Sequence, residues 1–137
     1  MPKTNLRQQI FIDAPPSKVW KVLTHFDYLN QYLAGENIHS QWTEGSTITA
    51  ETVNGQIHSV EKGKVLQAVP GVLLKYNLIE EITGDFTVIT YELIPAESGI
   101  ELKFFAEGFA DAVEEYLLRT KEAKLQLQKI KWLAEFS

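Results

Sequence analysis

Uncharged residues recur with a helical period over the last quarter of the chain. Steps of three and four place seven of them on one side of an α-helix. They are Val113, Tyr116, Thr120, Ala123, Leu127, Ile130 and Ala134. The early turns are acidic and the later turns basic, which is the order that stabilises a helix dipole. The pattern predicts a helix from near Asp111 to near Glu135, about 37 Å long at ~1.5 Å per residue, that needs a matching apolar surface.

The first quarter of the chain predicts a strand followed by two helices. Residues 6–12 end in three β-forming side chains, and Asp13 and Ala14 follow them. The next two residues are prolines, which suit the first turn of a helix because its N–H groups have no intrahelical partner. Apolar residues continue at helical spacing through residues 19–26, and a second short helical turn extends to Leu33.

Between Ile38 and Glu107 the apolar period changes to two, and turn residues recur at short intervals. Asn54-Gly55 is the clearest hairpin signal, since a type I′ turn needs positive φ at both central residues. Alternation of apolar and polar residues is typical of an antiparallel sheet with one buried face. Three glycines mark places where such a sheet bends at low cost. They are Gly45, Gly63 and Gly84.

The order of these elements predicts an α+β fold. A curved antiparallel sheet of about six or seven strands wraps around the long C-terminal helix, and two short helices follow the first strand. With 137 residues, 45% of them hydrophobic, we expect a single domain spanning residues 1–137.

Charge and composition exclude several classes of function. The net charge of −5 provides no basic field for a nucleic acid. The absence of cysteine excludes disulfides, thiolate metal ligands and cysteine nucleophiles. The N-terminal residues are polar, and no apolar run is long enough to span a bilayer, so we expect a soluble cytoplasmic protein without membrane insertion.

The histidines and the glycine-rich segments indicate neither a metal site nor a cofactor. His25, His39 and His58 are scattered, with no pair at the spacing of metal ligands. No phosphate-binding loop, dinucleotide fingerprint or nucleophile elbow is present in the sequence. We therefore expect no metal and no cofactor.

Several motifs resemble those of the START-like (SRPBCC) superfamily. Residues 12–20, IDAPPSKVW, are similar to its opening signature. Residues 91–95, 99–102 and 107–109 are similar to the late strands and the helix entry of its branch of heat shock protein 90 ATPase activators. The resemblance covers nearly the whole chain in the right order. It implies a helix-grip fold, with an apolar cavity between a curved antiparallel sheet and the C-terminal helix.

This chain departs from that branch at two places. Members often have a tryptophan shortly after the second helix, where this chain has Tyr32, and another in the middle of the last helix, where it has Thr120 and Ala123. Small residues leave space where a large ring is usual. We therefore expect a cavity near Ala123.

Polar groups on the predicted inner face allow two interpretations. Tyr76, Tyr91 and Tyr116 either are core aromatics with satisfied hydroxyls or converge on a cavity and orient a ring-bearing or carbonyl ligand. Thr120 either bonds to the preceding turn or contacts the ligand. Glu107 either favours the positive end of the helix or, if it faces the cavity, acts as an acid or base. The candidate ligand-binding residues are Tyr32, Trp42, Tyr76, Ile89, Tyr91, Phe104, Glu107, Tyr116, Thr120 and Ala123.

A second apolar strip lies on nearly the opposite side of the last helix. Leu118, Leu125 and Trp132 recur there every seven residues. The first helices could cover this strip, but apolar residues at heptad spacing on an outer face more often mark a partner surface. We therefore predict a homodimer or another protein contact at these three residues.

Three functional hypotheses follow. The first is a non-enzymatic module that holds an apolar or aromatic small molecule between the sheet and the helix. The second is an enzyme of the cyclase or lyase kind, as the resemblance allows, that uses Tyr76, Tyr91 or Glu107 on a polyketide-like ligand. The third is a chaperone partner similar to the heat shock protein 90 activators, which, as the resemblance implies, carry a further domain that this chain lacks.

Overall fold

A computed structural model describes residues 4–32, 37–53, 57–79, 86–109 and 113–136. Seven strands and three helices form within these ranges. They are, in chain order, β1 (Thr4–Ile12), α1 (Pro16–Thr24), α2 (Phe26–Tyr32), β2 (Asn37–His39), β3 (Thr47–Val53), β4 (Ile57–Val69), β5 (Leu73–Ile79), β6 (Phe86–Pro95), β7 (Ile100–Phe109) and α3 (Val113–Phe136).

The strands form one antiparallel sheet in the order β1-β7-β6-β5-β4-β3-β2. β1 pairs with β7, and the remaining strands pair with their neighbours in sequence. The sequence predicts an α+β fold with a sheet of about six or seven strands, two short helices after the first strand and a long C-terminal helix. The structure confirms this prediction, with seven strands in the sheet.

Irregular pairing bends the sheet around β4. The register shifts between Ile48 and Thr49 in the β3–β4 pair, and between Val65 and Gln67 in the β4–β5 pair. Gly63 lies opposite Ile48, and a Cβ atom there would be 1.8 Å from the backbone oxygen of Asn77 in β5. The close approach of the two strands therefore requires glycine at this position.

Besides Gly63, the sequence predicts bends at Gly45 and Gly84 and a hairpin turn at Asn54-Gly55. Gly45 has a φ of 86° and lies in the turn before β3 rather than within a strand. Asn54-Gly55 and Gly84 lie outside the described residues. In the β4–β5 turn, the Val72 N–H donates to the Val69 carbonyl at 2.9 Å and Gly71 has a φ of 77°, as a type II turn requires.

The core lies between the inner face of the sheet and the helices. The predicted inner side of α3 is buried from Ala123 onward, and Thr120 on the same side is half-buried. The buried members are Ala123, Leu127, Ile130 and Ala134, joined by Leu133. The side chains of Val113 and Tyr116 lie outside the described part of the structure. On the sheet, alternate residues of β5, β6 and β7 face α3.

Two groups of side-chain hydrogen bonds fasten α3 along β1. Near the middle of the helix, the Gln8 Nε2 donates to the Thr120 carbonyl at 2.9 Å. Near its end, the Glu135 Oε2 accepts from the Asp13 N–H at 2.8 Å and from the Lys131 Nζ at 2.6 Å. The Lys131 Nζ also donates to the Phe11 carbonyl at 2.7 Å. Hydrogen bonds from Lys131 and from the Asp13 backbone lower the pKa of the Glu135 carboxyl. These contacts fix the height of α3 above the sheet.

Candidate functional site

A cavity of about 180 Å³ lies between α3 and strands β1, β5, β6 and β7. The apolar part of its wall consists of Leu6, Leu78, Ile89, Phe104, Ala106 and Ala123. The polar part consists of Tyr76, Thr87, Arg119, Glu122 and Gln126.

Small side chains on both sides of the helix–sheet contact explain the position of this space. Ala123 lines it from α3 and Ala106 lines it from β7. One turn later, α3 presents the buried Leu127 and then Ile130, which fill the interior. The methyl groups of the two alanines extend less far into the space between helix and sheet than the side chains of Leu127 and Ile130 do. The space between the helix and the sheet therefore lies at the level of the two alanines.

Exposure increases from one end of the cavity to the other. Along β6, Tyr91 is buried while Ile89 and Thr87 are half-buried. On α3, Arg119 is half-buried and Glu122 is exposed. The charged groups therefore stand at the outer end of the cavity, and the buried tyrosines stand at its inner end.

A hydrogen bond behind the inner end of the cavity joins α3 to β6. The Gln126 Nε2 donates to the Tyr91 hydroxyl oxygen, and Tyr76 is a buried tyrosine of the neighbouring strand β5. Burial raises the pKa of both phenols well above the ordinary value. The nearby Tyr76 hydroxyl contributes to the raised pKa of Tyr91, and the hydrogen bond from Gln126 lowers that pKa. At neutral pH both hydroxyls are protonated and can donate hydrogen bonds.

Other aromatic rings pack against Tyr76 and Tyr91. The Trp42 ring contacts the Tyr76 ring edge-on at a centroid distance of 5.5 Å, and the Phe104 ring lies 5.3 Å from that of Tyr91. The buried Tyr32 donates its hydroxyl to the Leu23 carbonyl at 2.7 Å. Trp42 has a φ of 54°, an uncommon backbone conformation for a residue with a large side chain.

The structure separates the ten predicted site residues into groups. Four of them line the cavity, and these are Tyr76, Ile89, Phe104 and Ala123. Three lie behind its wall, and these are Tyr32, Trp42 and Tyr91. Thr120 is half-buried outside the lining, and the side chain of Tyr116 lies outside the described residues.

The inclusion of Glu107 in the site is corrected by the structure. β7 continues to Phe109, so strand alternation still governs residue 107. Leu102, Phe104 and Ala106 face the core and are buried, whereas Glu107 is exposed on the opposite face. The carboxylate therefore does not face the cavity.

Three lining residues of α3 were missed in the sequence. Arg119 lies four residues before Ala123 and Gln126 three residues after it, so both share its side of the helix. Glu122 borders the same side. The predicted stripe contains only uncharged residues, which leaves out Arg119 and Glu122, and it contains Leu127 in place of the neighbouring Gln126. A wider helical face centred on Ala123 would have included them.

Three large apolar side chains are exposed on the outer side of α3. Leu125 is 52% exposed, Trp132 61% and Phe136 72%. Helices α1 and α2 therefore do not cover the predicted strip at Leu125 and Trp132. The side chain of Leu118 lies outside the described residues.

The described ranges contain neither a cluster of metal ligands nor a membrane-spanning helix. Within residues 4–32, 37–53, 57–79, 86–109 and 113–136, no three histidine, aspartate or glutamate side chains are grouped so as to hold a metal ion. No helix in the same ranges combines the length and apolar character needed to cross a membrane.

Solved structures share this fold across nearly the whole chain. A protein from Mesorhizobium loti superposes with a TM-score of 0.79 at 19% identity, covering 95% of this chain and 96% of its own. The solution structure of the Aha1 dimer from Colwellia psychrerythraea superposes with a TM-score of 0.77 at 21% identity, covering 97% of each chain. DynU16, from the dynemicin biosynthetic locus, gives a TM-score of 0.77 at 14% identity, covering 96% of this chain and 48% of its own.

Sequence comparison identifies the family. Proteins of curated function give no significant match to this chain. Residues 13–133 match the sequence model described as Activator of Hsp90 ATPase homolog 1-like protein. Because this match spans most of the sequence and the fold agrees with it, the chain belongs to the Activator of Hsp90 ATPase homolog 1-like family, within the START-like superfamily that its motifs resemble.

Proposed function

We propose that this protein binds an apolar or aromatic small molecule in the cavity between α3 and the sheet. The observation that carries the proposal is a mostly apolar cavity whose inner end presents Tyr76 and Gln126. Ligand sites in proteins typically combine hydrophobic walls with a few placed polar groups. The volume of about 180 Å³ is close to that of an engineered cavity of ~150 Å³ that binds benzene. The cavity therefore suits about one ring with a small substituent.

The polar groups support binding more than catalysis. Burial keeps the hydroxyls of Tyr76 and Tyr91 protonated by raising their pKa values, so neither is a general base at neutral pH. Glu107, the carboxylate considered for a cyclase or lyase, is on the opposite face of the sheet. The chaperone-partner hypothesis is independent of the cavity and stays a prediction.

Binding can be tested with a small fluorinated ring and a variant that fills the cavity. We expect the fluorine NMR signal of para-fluorotoluene to broaden and shift on addition of the wild-type protein. Ala123→Leu adds three carbons at the cavity wall and should abolish the effect. Lys124→Leu makes a similar change at the neighbouring exposed position and should retain it.

The proposal would be contradicted if wild type left the signal unchanged, or if Ala123→Leu behaved like wild type. If wild type binds the probe and Ala123→Leu does not, native mass spectrometry of protein purified from its own host should identify the physiological ligand. The same Ala123→Leu variant should lose that copurifying molecule.

A homodimer through the outer side of α3 is a second proposal, and it is compatible with ligand binding. Leu125, Trp132 and Phe136 are exposed on one side of the helix, and the similar Colwellia psychrerythraea structure is described as a dimer. We expect sedimentation of wild type to depend on concentration and Trp132→Ser to remove that dependence. Val72→Ser removes an equally exposed apolar side chain in the β4–β5 turn and should leave it intact. A wild-type monomer at high concentration contradicts the dimer.

A further inference from the structure

Opposite charges flank the exposed apolar side chains on the outer side of α3. Leu125 lies between the exposed Glu122, three residues before it, and the exposed Lys129, four residues after it. At ~1.5 Å per residue these two positions are about 5 Å and about 6 Å from Leu125 along the helix. At ~3.6 residues per turn, residues seven positions apart share one flank. The outer side therefore carries one charge of each sign at nearly equal distances from Leu125.

A recess next to Leu125 has the form of a helix-packing site. Its volume is about 370 Å³, and Gln31 of α2 borders it on one side. On α3 it is bordered by Leu125, Gln128, Lys129 and Trp132. Residues at these spacings, i, i+3, i+4 and i+7, enclose the hole that receives one side chain from a facing helix. The outer side of α3 therefore suits another helix.

The arrangement of the charges indicates which helix this is. When two copies are related by a twofold axis, the same surface meets itself, so that surface has to be complementary to itself. A twofold axis at the level of Leu125 that runs two α3 helices antiparallel sets Glu122 of each copy beside Lys129 of the other. Parallel helices would instead place each of these charges level with its like. The outer side of α3 is therefore complementary to itself in the antiparallel orientation.

We propose that a second copy of this chain packs its α3 antiparallel across the outer side of α3. Leu125 lies at the twofold axis next to the recess, and each copy contributes one Glu122 and one Lys129 to two contacts between opposite charges. This inference rests on the homodimer proposed above and specifies its geometry. In the sequence, Leu118 and Trp132 are each seven residues from Leu125. Antiparallel helices therefore set Trp132 of one copy level with residue 118 of the other.

Charge reversal tests the two contacts. Lys129→Glu or Glu122→Lys alone makes both contacts repulsive and should weaken the dimer about tenfold in sedimentation. An equimolar mixture of these two variants should regain the wild-type strength, because two glutamates of one copy then face two lysines of the other. Lys64→Glu makes the same change of net charge at an exposed position of β4 and should associate like wild type.

Single cysteines test the position of the twofold axis, since the chain contains no cysteine. Leu125→Cys should form a disulfide-linked dimer with copper–phenanthroline as the oxidant, because the axis brings this position close to its own copy. Trp132→Cys should not form one. Its two copies are about 20 Å apart along antiparallel helices at ~1.5 Å per residue, and a disulfide needs Cα atoms within about 7 Å.

The outcomes separate this geometry from the homodimer itself. A dimer that Lys129→Glu leaves at wild-type strength, or a mixture of charge variants as weak as each variant alone, overturns the proposed contacts. A dimer in which Trp132→Cys links as readily as Leu125→Cys overturns the antiparallel orientation. All three results leave the homodimer in place. A wild-type protein that stays monomeric at high concentration overturns the homodimer and the inference together. Recovery in the mixture shows that both charge variants are folded.

Discussion

Filling the cavity should stabilise the protein, and the sign of the change tests the description of the helix–sheet contact. Ala123→Leu adds three carbons to the wall of a space of about 180 Å³. Burial at ~0.8 kcal/mol per carbon contributes roughly 2 kcal/mol. Immobilising the leucine side chain costs about 0.5–1 kcal/mol. The free energy of unfolding should therefore rise by about 1–1.5 kcal/mol.

A tightly packed contact predicts the opposite sign. Extra carbons in a filled core force side chains out of their rotamers and typically destabilise by about 1–3 kcal/mol. The two descriptions of the site thus differ by several times the error of an unfolding measurement. No assumption about the ligand enters this comparison.

Urea unfolding of wild type, Ala123→Leu and Lys124→Leu provides the measurement. We expect Ala123→Leu to raise the midpoint with an unchanged dependence on urea, which indicates that only stability has changed. Lys124→Leu, at an exposed position, should stay within about 0.5 kcal/mol of wild type. A loss of about 1 kcal/mol or more in Ala123→Leu alone would refute the cavity.

Three further predictions concern the parts of the fold that hold α3 and bend the sheet. Glu135→Gln should destabilise by about 0.5–1.5 kcal/mol at neutral pH. Because folding lowers the pKa of Glu135, its contribution is present above the ordinary carboxyl pKa and is lost as pH falls through the folded pKa; urea midpoints that differ equally in acid and at neutral pH would contradict this. Gly63→Ala should cost more than about 2 kcal/mol in thermal and urea unfolding, since its Cβ would lie 1.8 Å from the Asn77 oxygen. Gly45→Ala should cost only about 1 kcal/mol by the same measurements, because its positive φ is strained but the space around it is open; equal losses at the two glycines would argue against the close contact of β4 with β5.

The candidate site was partly predictable because four of its residues follow local periodicity. Tyr76, Ile89 and Phe104 occupy the inward positions of a period-two pattern, and Ala123 occupies the inner side of a helix. Glu107 was misplaced because the sequence suggested a corner between strand and helix, whereas β7 extends to Phe109 and its alternation continues. The end of a strand depends on its pairing partners, and here β1 pairs with β7 up to that residue.

Gln126 shows what periodicity alone omits. Its amide completes the hydrogen bonds of Tyr91, a residue 35 positions earlier. The predicted stripe contains Leu127, the next residue, because it is the more apolar of the two. A polar residue beside an apolar stripe is ordinarily hydrogen-bonded to water. Gln126 belongs to the site because a buried hydroxyl lies within hydrogen-bond distance of its amide.

The amino-acid pattern is sufficient to predict the order of the elements, the inward faces of β5, β6 and β7, and the side of α3 that meets the sheet. These are local properties, since the side-chain direction in a strand or helix depends on the backbone angles of a few residues. Only the folded structure shows that Ala106 lines the cavity together with Ala123, and that the Gln126 amide donates to the buried Tyr91 hydroxyl. Both depend on how closely two distant segments approach, and that distance is set by the side chains of every layer packed between them.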